Sequence, residues 1–392
     1  MNYLIALDKF KDSFTAQEGC KIVKKALLEV IPSVQVDVSP LTDGGEGFAE
    51  ILTQPLSGNL HSVEVPDALG KTISAYWGSV AVSQIPKNLQ STLNLTDKKG
   101  TLAIVEMAQS SGLEAIDAKY RNPWLTTTFG TGEILKKVAL SKPTAIIMGL
   151  GGSATNDLGF GALQSLGAIK AYDHQSSLMG ACPPKDWPKI AHLSIHPIHS
   201  FPPIWIACDV NNPLLGSRGC THHYGQQKGL PRETAQQMEQ LLSDQAKRLC
   251  SLSGKSFAMT KIPGSGAAGG IGFGLRLLVG GEFVSGINLV NEWVSFPSKL
   301  DRADCIITGE GSFDATSLNG KVLGSILEQI KNTKKILHIF AGNIDSKVIP
   351  SLSPNVYTHK IAPDHFSLEE SIKGGKLLLY DVARKLFESQ KR

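Results

Sequence analysis

The sequence lacks several features that would place it in well-known classes of protein. No apolar run approaches the ~20 residues needed to cross a membrane. Its 39 basic and 35 acidic residues leave a formal net charge of +4, which is too balanced for a nucleic-acid-binding protein. None of its six cysteines forms a Cys-x-x-Cys pair, so neither a zinc site nor a disulfide framework is indicated. We therefore predict a cytoplasmic protein that binds neither membrane nor nucleic acid.

Glycine, in contrast, is abundant. The chain has 39 glycines among 392 residues, more than the usual fraction of about 7%. They collect in short clusters, which indicates special backbone turns rather than a flexible linker. A hydrophobic content of 42% is enough for a sizeable core, and the length suggests two domains at roughly 100–200 residues per domain.

Short apolar runs alternate with segments of helical periodicity, a pattern typical of α/β proteins. The runs that predict buried parallel strands are Tyr3–Leu7, Val34–Val38, Thr101–Val105, Ala145–Met148, Ile204–Ala207, Cys305–Thr308 and Ile336–Phe340. The segments that predict helices are Ala16–Val30, Gly132–Leu140, Gly159–Leu166, Arg232–Leu249 and Leu368–Phe387. His61–Val65 and Ile73–Trp77 flank Asp67–Gly70 and predict a hairpin or a sheet switch.

Clusters of glycine and polar residues follow six of these strands. They begin at Asp8, Thr42, Glu106, Gly149, Cys208 and Gly309. In open α/β sheets, ligands bind at the carboxyl ends of the strands. We therefore predict one site built from these clusters, in a cleft between two domains.

The turn at Gly149–Asp157 has the order of strand, glycines and helix start that suits phosphate binding. A tight turn that needs glycine only for packing is the alternative. Gly264–Gly270 contains Gly-x-Gly-x-x-Gly, but no clear strand precedes it, so helix packing or a second phosphate contact is favoured over a dinucleotide fold. In the segment Thr126–Glu133, Thr131 is predicted to cap a helix, with substrate contact as the alternative.

Eight motifs together resemble those of the bacterial glycerate kinase family that lacks a Walker A motif. They are Asp-Lys-Phe-Lys-Asp-Ser at 8–13, Asp-Gly-Gly-Glu-Gly at 43–47, Thr-Thr-Thr-Phe-Gly-Thr-Gly-Glu at 126–133, Gly-Gly-Ser-Ala-Thr-Asn-Asp at 151–157, Asp-Val-Asn-Asn-Pro-Leu at 209–214, Gly-Gln-Gln-Lys-Gly at 225–229, Gly-Ser-Gly-Ala-Ala-Gly-Gly at 264–270 and Gly-Glu-Gly-Ser-Phe-Asp at 309–314. The resemblance runs from about Leu4 to about Gly342. The chain departs from the family pattern at Lys9, Asp12, Leu41, Thr42, Phe48, Ser312, Thr316 and Ser317.

This resemblance implies two α/β domains, with a flavodoxin-like domain of residues 66–289 inserted into a restriction-endonuclease-like domain of residues 1–65 and 290–392. It also implies ATP and a divalent metal, usually magnesium, with 2-phosphoglycerate as the common product. We expect a monomer or a homodimer whose partners are glycerate and ATP.

Phosphoryl transfer needs cations on the moving phosphoryl group, a metal held by oxygens and a base near the attacking hydroxyl. For catalysis we predict Lys11, Lys321 and either Asp209 or Asp43 as the base. For phosphate or nucleotide binding we predict Gly151, Gly152, Ser153, Ala154, Thr155, Asn156, Gly266 and Lys228. For substrate binding we predict Arg121, Thr128 and Gly130, and for the metal Asp157, Glu310 and Asp314.

Three other functions stay open at this point. A kinase of the same family could form 3-phosphoglycerate. A non-catalytic sensor of sugar acids or nucleotides would bind ligand without turnover. A nicotinamide-dependent oxidoreductase would be stabilised by NAD(P)H rather than by ATP.

Overall fold

The computed structural model describes residues 1–42, 44–318 and 322–391. Two predicted catalytic residues, Asp43 and Lys321, therefore lie outside the described residues. The chain forms two compact units, a discontinuous unit of residues 1–43 and 290–392 and an inserted unit of residues 44–289. In the part of the chain that the structure describes, no helix is long and apolar enough to cross a membrane.

The elements alternate as an α/β sequence requires. The strands are β1 (Asn2–Leu7), β2 (Gln35–Val38), β3 (Asn59–Pro66), β4 (Thr72–Ala81), β5 (Thr101–Glu106), β6 (Ala145–Gly149), β7 (Ile169–Tyr172), β8 (His192–Ile195), β9 (Ile204–Ala207), β10 (Glu282–Val284), β11 (Cys305–Phe313), β12 (Ile336–Ile344) and β13 (Val356–Lys360). The helices are α1 (Ala16–Val30), α2 (Phe48–Thr53), α3 (Lys87–Thr92), α4 (Ala108–Ser111), α5 (Phe129–Leu140), α6 (Phe160–Ser165), α7 (Cys220–Tyr224), α8 (Ala235–Ser253), α9 (Ile271–Leu278), α10 (Gly286–Trp293), α11 (Phe296–Arg302), α12 (Ala315–Leu318), α13 (Val322–Ile330) and α14 (Leu368–Gln390).

The discontinuous unit is built on an all-parallel sheet with the order β13-β12-β11-β1-β2. Counted along the chain within this unit, the order is 2-1-3-4-5, which is that of flavodoxin-like folds. The prediction gave this topology to the inserted unit, so the structure corrects that assignment. The connections leave β1 and β11 in opposite directions, which makes the gap between these two strands the topological switch point.

The inserted unit contains a mixed sheet with the order β10-β9-β6-β5-β4-β3. Strands β5, β6, β9 and β10 are parallel, whereas β3 and β4 form the predicted antiparallel hairpin. This pairing places β3 in the inserted unit, so the chain enters that unit at residue 44 rather than at the predicted residue 66. A separate antiparallel pair joins β7 and β8. The predicted restriction-endonuclease-like topology stays a prediction.

Helix α1 shows how local sequence and core packing agree. It spans the predicted residues, and a capping box between Thr15 and Glu18 starts it. Its apolar face, which includes Val23 and Leu27, is fully buried against β1 and α14. Burial of each such side chain stabilises the fold by roughly 1.5–3 kcal/mol.

Helix α5 differs from its prediction at the amino-terminal end. It begins at Phe129 rather than Gly132, and Thr131, the predicted cap, lies inside it. The Thr131 hydroxyl instead makes hydrogen bonds with the hydroxyls of Ser110 at 3.0 Å and Ser111 at 2.7 Å. The hydroxyl of Thr131 therefore connects α5 to α4 by hydrogen bonds.

Candidate active site

The turn that follows β6 is shaped first by packing. A Cβ atom on Gly151 would lie 2.3 Å from the Cα atom of Gly45, and one on Gly152 would lie 1.9 Å from a carboxylate oxygen of Glu46. Gly152 also has a φ of +71°, which favours glycine. Both glycines are thus needed for the close approach of the 44–46 segment, which favours the packing alternative for these two residues.

Lys228 is the most unusual charged residue of this region. Its side chain is buried, with 5% of the residue exposed. Its ammonium nitrogen donates to the Ser153 hydroxyl at 2.8 Å and to the Thr155 carbonyl at 2.7 Å. Among the described residues it forms no ion pair with a carboxylate. A buried cation without a direct ion pair is costly, so the structure has the chemistry of a site for an anion.

Burial lowers the pKa of Lys228 to about 8, although the charges of Cys220 and Asp157 act in the opposite direction. Two neighbouring polar side-chain atoms can also form further hydrogen bonds. The Thr155 hydroxyl and the Asn156 side-chain oxygen are buried with no hydrogen-bond partner in the described residues, whereas the Asn156 amide donates to Thr221 at 3.2 Å. Buried polar atoms without partners are rare in proteins, and here they lie beside the buried cation.

Asp157 is buried and accepts several hydrogen bonds. One carboxylate oxygen accepts from the Thr128 amide at 2.8 Å, from the Thr128 hydroxyl at 2.9 Å, from the Gly161 amide at 3.2 Å and from the Thr127 hydroxyl at 3.4 Å. The other accepts from the Gly159 amide at 3.2 Å. Burial raises the pKa of Asp157, and these hydrogen bonds oppose the rise. Asp157 thus organises the start of α6, and its predicted role as a metal ligand stays a prediction.

Three further predicted residues are accounted for by contacts within the inserted unit. Thr128 is fully buried, and its hydroxyl donates to Asp157 and accepts from the Ala162 amide at 2.9 Å. A Cβ atom on Gly130 would lie 1.8 Å from the Pro66 carbonyl oxygen, and one on Gly266 would lie 2.2 Å from the Pro213 carbonyl oxygen. Thr128, Gly130 and Gly266 therefore have structural contacts, and their predicted ligand contacts stay predictions.

Arg121 lies against the turn that carries Lys228. A Cβ atom on Gly229 would be 2.0 Å from the Arg121 carbonyl oxygen, so the two backbones are in close contact. The Arg121 Nε donates to the Ile116 carbonyl at 2.9 Å, while in the described residues its terminal guanidinium nitrogens have no hydrogen-bond acceptor. The terminal N–H groups of this half-buried guanidinium can therefore donate hydrogen bonds to a carboxylate.

Asp209 follows β9 and is held by the start of α10. Its carboxylate oxygens accept hydrogen bonds from the Ser285 hydroxyl and from the Ile287 amide, both at 2.8 Å. A carboxylate is favourable at a helix amino terminus. Asp209 is therefore fixed in position at the carboxyl edge of the sheet.

A cavity of about 710 Å³ lies in the discontinuous unit. It is found where β1, β11, β12 and β13 end, and its lining includes the predicted residues Lys11, Glu310 and Asp314. These three residues are thus brought together at the topological switch point, the place where open α/β sheets bind ligands. In the described part of the chain, no group of three or more His, Cys, Asp or Glu side chains could hold a metal by itself.

Comparison with known proteins shows the family of the chain. The profile of the Glycerate kinase family matches residues 3–391. The chain belongs to the glycerate kinase family. A glycerate kinase of Halalkalibacterium halodurans is 32% identical over 98% of this chain and 96% of its own length. A glycerate 2-kinase of Escherichia coli is 32% identical over 89% of this chain and 87% of its own.

The crystal structure of a Salmonella typhimurium protein assigned as glycerate kinase 2 is also similar. It superposes with a TM-score of 0.73, is 29% identical and covers 100% of this chain and 98% of its own. The relatives and this structure make the chain a kinase. No name of a relative assigns a role to any single residue, so the site residues of this family member rest on the contacts described above.

Sequence reasoning about this kinase missed part of the cavity. Lys9, Asn343, Lys360 and Phe366 line it as well. Asn343 follows Gly342 in β12, which repeats the pattern of a strand followed by glycine, so this signal was present in the sequence. Lys360 is the last residue of the edge strand β13, and Phe366 follows six residues later. Neither residue belongs to a recognised motif.

Proposed function

We propose that this member of the glycerate kinase family transfers the terminal phosphoryl group of ATP to a hydroxyl of D-glycerate and forms 2-phosphoglycerate. The observation that carries the proposal is the buried ammonium of Lys228, which donates to Ser153 and Thr155 and forms no ion pair with a described carboxylate. Such a site needs an anion, and glycerate is one. The glycerate 2-kinase name of the Escherichia coli relative supports the 2-phosphate product.

The anion of this site is taken to be the carboxylate of glycerate. Lys228 supplies the charge, and Arg121 supplies donors in a planar arrangement that matches a carboxylate. The unused oxygens of Thr155 and Asn156 accept hydrogen bonds from the hydroxyls of glycerate. The sequence predicted that this turn binds a phosphate, which is also an anion. The two assignments can be separated by replacing Lys228. Affinity for glycerate falls if the site binds the carboxylate, and affinity for ATP falls if it binds a phosphate.

The cations of the reaction are assigned to the discontinuous unit. Magnesium is commonly held by one or two carboxylates together with substrate phosphates, and Glu310 and Asp314 both line the cavity, so these residues fit it. Bound there, magnesium would neutralise charge on the nucleotide phosphates. Lys11 lines the same cavity and adds a further positive charge. The role of Lys321 stays a prediction.

The proton of the reacting hydroxyl is assigned to Asp209. The hydroxyl oxygen forms a bond to the terminal phosphorus of ATP, the bond from that phosphorus to the bridging oxygen breaks, and ADP leaves. A carboxylate that is fixed by Ser285 and Ile287 can orient the hydroxyl and accept its proton. Asp43, the alternative base, stays a prediction.

The reaction is tested with purified protein, ATP, magnesium and D-glycerate, with ADP followed by a coupled assay and the product identified by phosphorus NMR. We expect glycerate-dependent ADP and a single 2-phosphoglycerate resonance, and chelation of magnesium should abolish both. A 3-phosphoglycerate resonance would overturn the product. Binding of glycerate without ADP above the no-glycerate control would overturn the kinase activity in favour of a sensor.

A cytoplasmic location belongs to the same proposal. Six cysteines are present and all are free, five of them buried, which suits a reducing compartment. A monomer and a homodimer stay the two predicted states.

A further inference from the structure

The cavity of the discontinuous unit has two chemically different ends. The switch point between β1 and β11 contributes charged residues, namely Lys9, Lys11, Glu310 and Asp314. Where β13 ends, the lining contains an apolar surface of Ile361, Ala362, Pro363 and Phe366, which lies beside the ion pair of Lys360 and Asp364. Three strand spacings separate β1 from β13, or about 14 Å. The cavity therefore suits an elongated ligand with a charged and an apolar end.

The apolar end exposes side chains that would ordinarily be buried. Phe366 is 37% exposed and Leu368 is 78% exposed, and both line the cavity. Phe366 is held by a hydrogen bond from its amide to the Pro363 carbonyl at 3.0 Å. Ser367 then caps α14 in a capping box with Glu370. The aromatic ring is thus presented by a tight turn whose backbone is fixed on both sides.

We infer that this cavity binds the nucleoside triphosphate, with the base at Phe366 and Pro363 and the phosphates toward Lys9 and Lys11. The inference rests on the proposed function in taking the phosphoryl donor to be ATP. A volume of about 710 Å³ lies within the range of roughly 300–1,000 Å³ of small-molecule sites. An exposed aromatic ring is a stacking surface for a base, while lysines suit the phosphates. Phe366 then determines the affinity for the nucleotide and leaves that for glycerate unchanged.

The direct test is photolabelling of the wild-type protein with 8-azido-ATP, followed by tryptic mapping. Cleavage after Lys360 and Lys373 releases residues 361–373, which contain the whole apolar end. We expect the label on this peptide, and excess ATP should prevent it. Label on residues 138–170, which contain the glycine turn after β6, would overturn the inference, and so would the absence of ATP-protected label.

The kinetic test is Phe366→Ala, with Leu377→Ala as the matched control. Leu377 is an apolar residue of the same unit that is 65% exposed, lies on α14 and does not line the cavity. We expect Phe366→Ala to raise the KM for ATP about tenfold, which corresponds to about 1.4 kcal/mol, with the KM for glycerate unchanged. Leu377→Ala should change neither constant. A rise in the KM for glycerate alone would show that the cavity holds the acceptor and would overturn the inference.

The outcomes separate this inference from the proposed function. ATP-protected label on residues 361–373 without turnover of glycerate would contradict the proposed reaction and leave the nucleotide site standing. Turnover of glycerate with the label elsewhere would contradict the nucleotide site and leave the reaction standing.

Discussion

The ammonium nitrogen of Lys228 lies 2.8 Å from the hydroxyl oxygen of Ser153 inside the inserted unit. Replacement of Lys228 by methionine removes the charge and keeps most of the apolar stem. We expect kcat/KM for glycerate to fall at least about 100-fold, because hydrogen bonds to charged groups contribute roughly 1.5–3 kcal/mol each. The melting temperature should stay level or rise, since a buried cation without a direct ion pair is destabilising.

The control for Lys228→Met is Lys255→Met, which changes an exposed lysine of the same unit. Its kinetics and stability should match the wild type. A fall in melting temperature with unaltered kinetics for Lys228→Met would make Lys228 a structural residue. A rise in the KM for ATP, with the KM for glycerate unchanged, would instead support phosphate binding at the Gly149–Asp157 turn, as predicted from the sequence.

The titration of Lys228 predicts a pH dependence. Its pKa is lowered to about 8 by burial, so the lysine is cationic below pH 8 and becomes neutral as the pH rises through this value. The anion site needs the cation, and kcat/KM for glycerate should therefore decline above about pH 8. The pH profile of kcat/KM reports groups of the free enzyme. Lys228→Arg should remove the decline, because arginine stays charged. A profile of Lys228→Arg with an unchanged alkaline decline would contradict the assignment.

The contacts of Asp209 allow its catalytic and structural roles to be separated. In Asp209→Asn the side-chain oxygen still accepts from the Ile287 amide, and the Ser285 hydroxyl can turn to accept from the new amide, so α10 keeps its anchor. We expect kcat to fall about 100-fold, within the usual range for a general base, with the melting temperature changed little. Asp209→Ala should lose the anchor as well and lower both. Full activity in Asp209→Asn would restrict Asp209 to holding α10.

Much of the fold could be predicted from apolar runs and helical periodicity, and the misses have physical causes. All seven predicted strands are present, but β11 and β12 continue beyond their predicted ends through Gly309 and Gly342. Glycine ordinarily weakens a strand. Here the pairing of β11 with β12 continues to Phe313 and Ile344, and a Cβ atom on Gly309 would lie 2.4 Å from the Phe340 carbonyl oxygen. Close pairing of β11 with β12 therefore requires Gly309, although glycine in the sequence pattern indicates the end of a strand.

The site could be predicted less completely. A glycine or an aspartate in a turn gives the same sequence pattern whether it serves packing within the protein or ligand binding. Gly151 makes room for Gly45, and Asp157 collects backbone and hydroxyl donors, yet both have the pattern of ligand-binding residues. Lys228 is informative only once its burial is known. The predicted placement of the whole site in a cleft between two domains stays a prediction.

A pair of histidines in the discontinuous unit predicts how stability changes with acid. The Nδ1 of His338 on β12 lies 2.9 Å from the Nε2 of His359 on β13, and its Nε2 lies 3.0 Å from the side-chain nitrogen of Gln390 at the end of α14. Burial lowers the pKa of His338 to about 4, with a further contribution from His359. Burial also lowers the pKa of His359. Both rings are therefore neutral in the folded protein near neutral pH.

Because the folded pKa of His338 is below its unfolded value of about 6.5, the unfolded chain binds more protons between these values. The stability is then fully present above about pH 6.5 and is lost as the pH falls toward 4, by up to about 3 kcal/mol. Urea unfolding at pH 7.5 and pH 5 should show this loss in the wild type. His338→Phe keeps an aromatic ring on β12 and cannot be protonated, so its stability should change less between the two pH values, whereas His365→Phe, at an exposed position, should behave as the wild type. Equal losses in the wild type and His338→Phe would mean that other groups dominate the acid sensitivity of this unit.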